Sequence, residues 1–259
     1  MKQLTLTSYN FMDYHDPATG KPIQREGNVV IPEVVVDKNG NKYQIVAIGD
    51  DIFYSCKSLT SITIPNSVTE IGFSAFAGCK NLTSITIPDS VTKIGDSAFS
   101  GCSNLASITV PDSVIDIGIM AFLGCKNLTT ITIPDGVTKI GEWTFSGCES
   151  LTSVTIPDSV IDIGYDPFSG CPDDLVITYR GYDYTLGDLH MLSKQSDGLG
   201  ILVRMNIMSD AADILGDSSY SPVLMSKLIN AEHNGFLEET YEKIKQDFQT
   251  IGFYEISSK

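Results

Sequence analysis

The sequence predicts a solenoid of stacked coils, and three observations predict it. A 23-residue unit recurs in five full copies from Cys56 to Gly170, after a partial one. Each copy holds one stretch of strand-like alternation closed by a proline. Each copy also repeats the same cysteine, phenylalanine and glycine offsets. A unit this short cannot bury its apolar face alone, and stacking on its own copies is what buries it.

Within a unit, LTSITIP (Leu59 to Pro65) alternates apolar and polar residues over its second half, as a strand does. Ile62 and Ile64 are expected to point inward, with Ser61 and Thr63 outward. Pro65 ends the strand because it has no N–H for a ladder. Asn66-Ser67 supplies turn chemistry. VTEIG then turns Val68 and Ile71 inward and ends on Gly72, where a sharp bend is expected. AFAG brings Ala75 and Phe76 inward and closes the coil. The phenylalanine column is Phe53, Phe76, Phe99, Phe122, Phe145 and Phe168.

The six cysteines, Cys56, Cys79, Cys102, Cys125, Cys148 and Cys171, are each 23 residues apart. An even count invites a disulfide framework. The fixed spacing argues the other way, because six equivalent sites offer nothing that selects pairs. A column of buried thiols is expected.

The chain of 259 residues carries a net charge of -15. Such a balance repels phosphate backbones and anionic lipid, so nucleic acid and membrane surfaces are excluded as partners. No apolar run is long enough to span a membrane. The start, MKQLTLTSYNF, lacks the apolar stretch of a signal peptide.

The unit C-x-x-L-x-x-I-x-I-P-x-x-V-x-x-I-G-x-x-A-F-x-G resembles the leucine-rich repeat of the BspA-like bacterial class, over about residues 45–171. The resemblance implies a right-handed leucine-rich-repeat solenoid with a parallel β-sheet on the concave face. It further implies a non-catalytic, adhesion-type scaffold that binds a protein at the cell surface or after secretion. The alternative is an intracellular interaction scaffold whose C-terminal segment carries the specific activity.

Three regions are expected. Residues 1–44 form an N-terminal β cap, with QLTLTSY as a strand and a hairpin about Asn39-Gly40. Residues 45–171 are the repeats. Residues 172–259 form a C-terminal cap or small α/β domain. There DLVITYRGYDYTL is expected to turn back as a hairpin, and the 23-residue period to fail after Cys171. Helical spacing follows from Leu237 to Ile251, after a start at Ser221-Pro222.

Two surfaces are candidate ligand sites. The first is the outward hydroxyl face of the sheet, Ser84, Thr86, Ser107, Thr109, Thr130, Thr132, Ser153 and Thr155. Its simpler explanation is a solvated sheet rich in good strand formers. The second is a convex patch of Ile119, Met120, Leu123, Trp143 and Tyr165, at the offsets that vary most between copies. Exposed apolar clusters mark interfaces, and Trp and Tyr are typical anchors. The C-terminal segment folding over this patch is the other explanation.

Two further columns are expected to be structural. Glu70, Lys93, Asp116, Lys139 and Asp162 alternate in sign, so neighbouring coils attract. Asn66, Asp89, Asp112, Asp135 and Asp158 stack like charges, which suits a ladder of Asx turns accepting backbone N–H bonds. No cofactor, metal site or catalytic constellation is expected. The three histidines form no ligand motif, and the cysteines are locked in the core.

Overall fold

The computed structural model describes residues 1–7, 25–179 and 181–187. The chain divides into two compact units, Met1–Arg204 and Met205–Lys259, and the described residues all lie in the first. The expected helix between Leu237 and Ile251 and the polar loop before Gly27 lie wholly or mostly outside the described residues.

Ahead of the repeats come β1 (Lys2–Leu6), β2 (Gly27–Val30), β3 (Val34–Val36) and β4 (Lys42–Ile48). The repeats then contribute β5 (Leu59–Thr63), β6 (Glu70–Ile71), β7 (Ser84–Thr86), β8 (Lys93–Ile94) and β9 (Asp116–Ile117). They continue with β10 (Thr130–Thr132), β11 (Lys139–Ile140), β12 (Ser153–Ile156) and β13 (Asp162–Ile163). After the repeats come β14 (Val176–Tyr179) and β15 (Tyr182–Thr185).

Each coil therefore carries two strand segments, where one was expected. The Ser-Ile-Thr segment forms the first ladder. Here β2, β5 and β7 pair in parallel, as do β10, β12 and β14. Bridges at Thr86–Thr109 and Ser107–Thr130 carry the ladder across the third full coil. The Lys-Ile segment before the glycine forms the second ladder, through β1, β4, β6, β8 and β9, with β11 paired to β13. Glu70 sits on Lys93 and Lys93 on Asp116, a step of one repeat each time.

The third side of the coil has no strand, yet its backbone is just as regular. Phe76 N–H donates to Ala98 O at 2.8 Å, and Gly78 N–H to Ser100 O at 2.7 Å. The same pair of bonds recurs at Phe99, Gly101, Phe122, Gly124, Phe145 and Gly147. A buried turn needs partners for its polar groups, and here the next coil supplies them.

The core follows the expected columns. Five of the six phenylalanines are fully buried and Phe168 is 2% exposed. Their rings stack at 5.2–5.6 Å between centroids and within 13° of parallel. Burying each side chain contributes roughly 1.5–3 kcal/mol. The six cysteines are free, with the four inner ones fully buried and Cys56 and Cys171 half-buried. Each of the last five donates its S–H to a phenylalanine carbonyl one coil back, as Cys79 Sγ does to Phe53 O at 3.0 Å.

The glycines divide into two kinds, which corrects the expectation at Gly72. The column Gly72, Gly95, Gly118, Gly141 and Gly164 has ordinary backbone angles. It is small because coils meet there: a Cβ on Gly95 would lie 2.7 Å from the carbonyl carbon of Gly72. The sharp reversal falls instead on the glycine before each cysteine, such as Gly101 with φ of +71°. Only glycine adopts that conformation without strain.

The ends differ from expectation in one respect. The hairpin about Gly40 is present as antiparallel β3 and β4, and β1 pairs in parallel with β4. After Cys171 the period does not fail at once. Ser153 pairs with Val176 and Ile156 with Tyr179, so the repeat register runs to the end of β14. There β15 turns back antiparallel on β14, as the hairpin reading expected.

Two outcomes follow. Phe122→Ala is expected to lower stability by about 3–5 kcal/mol in urea unfolding, and a loss under about 1 kcal/mol would contradict a tightly stacked column. Burial pushes the Cys79 thiol up to about 12 and the Cys171 thiol up to about 11, from 9.0. A thiol whose folded pKa lies above its unfolded one stabilises the fold below the unfolded value. That contribution is lost as pH rises past 9 toward 12. The midpoint of urea unfolding should therefore fall between pH 9 and 11, and Cys79→Ala/Cys102→Ala should flatten the fall.

Candidate functional site

The variable side of the coil begins at the close-contact glycine. The residue after it runs Asp50, Phe73, Asp96, Ile119, Glu142, Tyr165, acid and apolar by turns. Asp50 Oδ1 accepts the Phe73 N–H at 2.8 Å, and Asp96 Oδ1 accepts the Ile119 N–H at 2.9 Å. Each of these acids therefore ties down the backbone of the apolar residue above it. Phe73, Ile119 and Tyr165 are left 50%, 40% and 56% exposed.

The next column runs Ser74, Ser97, Met120, Trp143, Asp166, and every member has a positive φ between 47° and 56°. That left-handed region costs an ordinary residue roughly 1–2 kcal/mol and is a true outlier for a bulky one. Serine and aspartate are small or polar enough to sit there readily. Methionine and tryptophan are not. The backbone holds them in place: Met120 N–H donates to Glu142 O at 2.9 Å, and Trp143 N–H to Tyr165 O at 3.0 Å.

The five residues of the candidate patch thus fall on two neighbouring columns, with Leu123 three positions further along its coil. Ile119 and Tyr165 are exposed, while Met120, Leu123 and Trp143 are half-buried. The Trp143 and Tyr165 rings meet edge to face at 5.8 Å between centroids, at 83°. Beneath them Thr144 is buried, and its hydroxyl donates to Gly141 O at 2.9 Å.

Sequence reasoning missed two members of this surface. Ile115 and Ile161 are 60% and 59% exposed on the second ladder, where the other full coils carry Thr69, Thr92 and Thr138. The signal was present as an apolar residue replacing threonine at an outward offset. It stayed hidden because the second ladder itself was not foreseen.

The hydroxyl face lies where expected. Ser84, Thr86, Ser107, Thr109, Thr130, Thr132, Ser153 and Thr155 are all exposed on the outer side of the first ladder. A neighbouring column is spent on structure: the hydroxyls of Thr83, Thr129 and Thr152 donate to the carbonyl one coil back at 3.1–3.3 Å.

The charge column pairs as expected at two of its junctions, Lys93–Glu70 at 3.5 Å and Lys139–Asp162 at 2.8 Å. The aspartate column does not behave as an Asx ladder. Its turns close through the backbone, with Val91 N–H donating to Pro88 O at 3.0 Å and its counterparts doing the same. The serine beside each aspartate bonds the neighbouring coil instead, as Ser90 Oγ does to Val68 O at 2.6 Å. Among the described residues no group of three or more metal-ligating side chains converges. No helix among them is long and apolar enough to cross a membrane.

With six stacked units on the page, the comparison with known families is direct. Residues 46–173 match the BspA type leucine-rich repeat region, in six copies. These residues are a BspA-type leucine-rich repeat region. The repeats are similar to those of a leucine-rich cell surface protein from Faecalibacterium prausnitzii, at 36% identity and a TM-score of 0.49. That alignment covers 62% of this chain and 49% of the other. A leucine-rich repeat protein from Bacteroides ovatus aligns at 31% identity and a TM-score of 0.43, over 59% of this chain and 53% of that one. A T. pallidum leucine-rich repeat protein aligns at 27% identity and a TM-score of 0.47, over 64% and 90%. This chain thus spans about half the length of the first two. No curated protein matches it.

Proposed function

We propose that the chain is a non-catalytic scaffold that binds a protein through the surface centred on Trp143 and Tyr165. The observation that carries this reading is the backbone at Met120 and Trp143, both at positive φ where serine stands in two other coils. Strain of this kind persists where something other than stability maintains it. Ile119, Leu123 and Tyr165 flank them, and Ile115 and Ile161 widen the apolar area onto the second ladder. The hydroxyl face offers nearly the same groups on every coil, so it gives a partner little basis for choosing a register. The variable columns supply that choice. The repeat family supports a bacterial protein working at or beyond the cell surface, with extracellular proteins as the partner class.

The test uses the full chain immobilised against a panel of extracellular-matrix proteins. Trp143→Asn/Tyr165→Ser is expected to weaken capture of any bound partner by about tenfold or more. Asparagine tolerates positive φ, so the same variant should stay within about 1 kcal/mol of the parent in urea unfolding. Undiminished capture would remove this surface. Outward Thr86→Ala/Thr109→Ala should leave capture unchanged.

A further inference from the structure

We infer that a cavity at the C-terminal end of the first ladder receives a basic side chain of the partner. This rests on the protein-binding reading above and adds a second, separate contact to it. The cavity measures about 370 Å³ and is lined chiefly by Asp135, Thr155, Ile156, Pro157, Asp158 and Thr178. The register of β12 with β14 sets Thr155 beside Thr178. The proline corner sets Asp135 and Asp158 one coil apart. Ile156 and Pro157 are buried and give the cavity an apolar wall.

The polar groups around the cavity divide into committed and uncommitted ones. Thr178 Oγ1 donates to Asp183 Oδ1 at 2.6 Å, and Ser159 Oγ, also on the lining, donates to Val137 O at 2.7 Å. Asp135 and Asp158 take part in none of the three ion pairs found among the described residues. At Asp135 the adjacent serine is replaced by Gly136, so that corner lacks the inter-coil hydroxyl bond made at Ser67, Ser90, Ser113 and Ser159.

The charge column of the second ladder shows how this chain neutralises stacked carboxylates: it inserts a lysine at every other coil. The corner column has no such lysine and runs Asp89, Asp112, Asp135, Asp158. Like charges one coil apart repel, and a bound cation relieves them. A lysine or arginine side chain suits this cavity on two counts. Its charged head meets the two carboxylates, and its methylene stem lies along Ile156 and Pro157. The net charge of -15 also steers a basic partner toward the molecule.

The test titrates the full chain at low salt with a short, fluorescently labelled peptide carrying two arginines among serines and glycines. Asp135→Asn/Asp158→Asn is expected to weaken binding by about tenfold, equivalent to ~1.4 kcal/mol. Asp89→Asn/Asp112→Asn removes the same charge outside the cavity and should change binding by less than about threefold. Equal losses in the two variants would show diffuse attraction to an acidic chain and overturn the cavity. Absence of binding to the parent chain would overturn it as well. Trp143→Asn should bind this peptide like the parent, so loss of the cavity and loss of the Trp143 surface are told apart.

Discussion

Everything in the repeat region depends on one constraint: each coil must hydrogen-bond its backbone to the next at a fixed step of 23 residues. The bonds run along all three sides of the coil, in two strand ladders and in the turn that carries the phenylalanine. Once that step is fixed, chemically equivalent side chains have no choice but to line up. A ring must lie on a ring, and a thiol must lie beside a thiol. A side chain that cannot tolerate its own copy about 4.8 Å away is excluded from the core. Phenylalanine tolerates it by stacking. Cysteine tolerates it because a neutral thiol is compact and spends its proton on a neighbouring carbonyl. The glycine at the closest approach tolerates it by having nothing to clash.

The same constraint acts on charge, where equivalence is unfavourable. Identical ionised groups stacked along a column repel, so the sequence must alternate signs, tie the charge to something local, or expose it. Three columns show three answers. The second ladder alternates acid and lysine, and closes ion pairs at two junctions. The column after the close-contact glycine alternates acid with apolar residues, and two of its acids bond the next coil's backbone. The corner column leaves four aspartates exposed with no cation of its own. Exposed pairs contribute little to stability, about 0–1 kcal/mol each. The differences between columns therefore say more about what each surface meets than about what holds the coil together.

The fold was largely legible in the sequence because a repeat writes each structural rule several times. The inward run of Ile62, Val68, Ile71 and Phe76 could be checked against four further copies, and all are buried. What was not legible was local. A two-residue strand such as Lys93–Ile94 is too short to show alternation, so the second ladder and its exposed Ile115 and Ile161 escaped notice. The aspartate at the corner is a common turn former, and nothing in Pro-Asp-Ser tells an Asx turn from one closed by the proline carbonyl. Gly72 looked like a bend because glycine serves both bends and close contacts. Only the neighbouring coil's position separates them. The candidate patch was legible as a variable offset, while the positive φ beneath Trp143 was not.

That backbone angle links the stability of the coil to its use. The third side of each coil needs a left-handed residue so that the N–H groups flanking the phenylalanine point to the next coil. In the first two full coils serine fills the position, a choice consistent with stability alone. In the third and fourth the position holds methionine and tryptophan, with side chains only half-buried, so core packing recovers little of the strain. The geometry cannot relax, because the hydrogen bonds from Met120 and Trp143 to the following coil fix it. The scaffold thus presents its tryptophan already oriented, with the χ angles confined by Tyr165 at its edge. A partner that meets this surface finds an anchor whose ordering cost was met during folding.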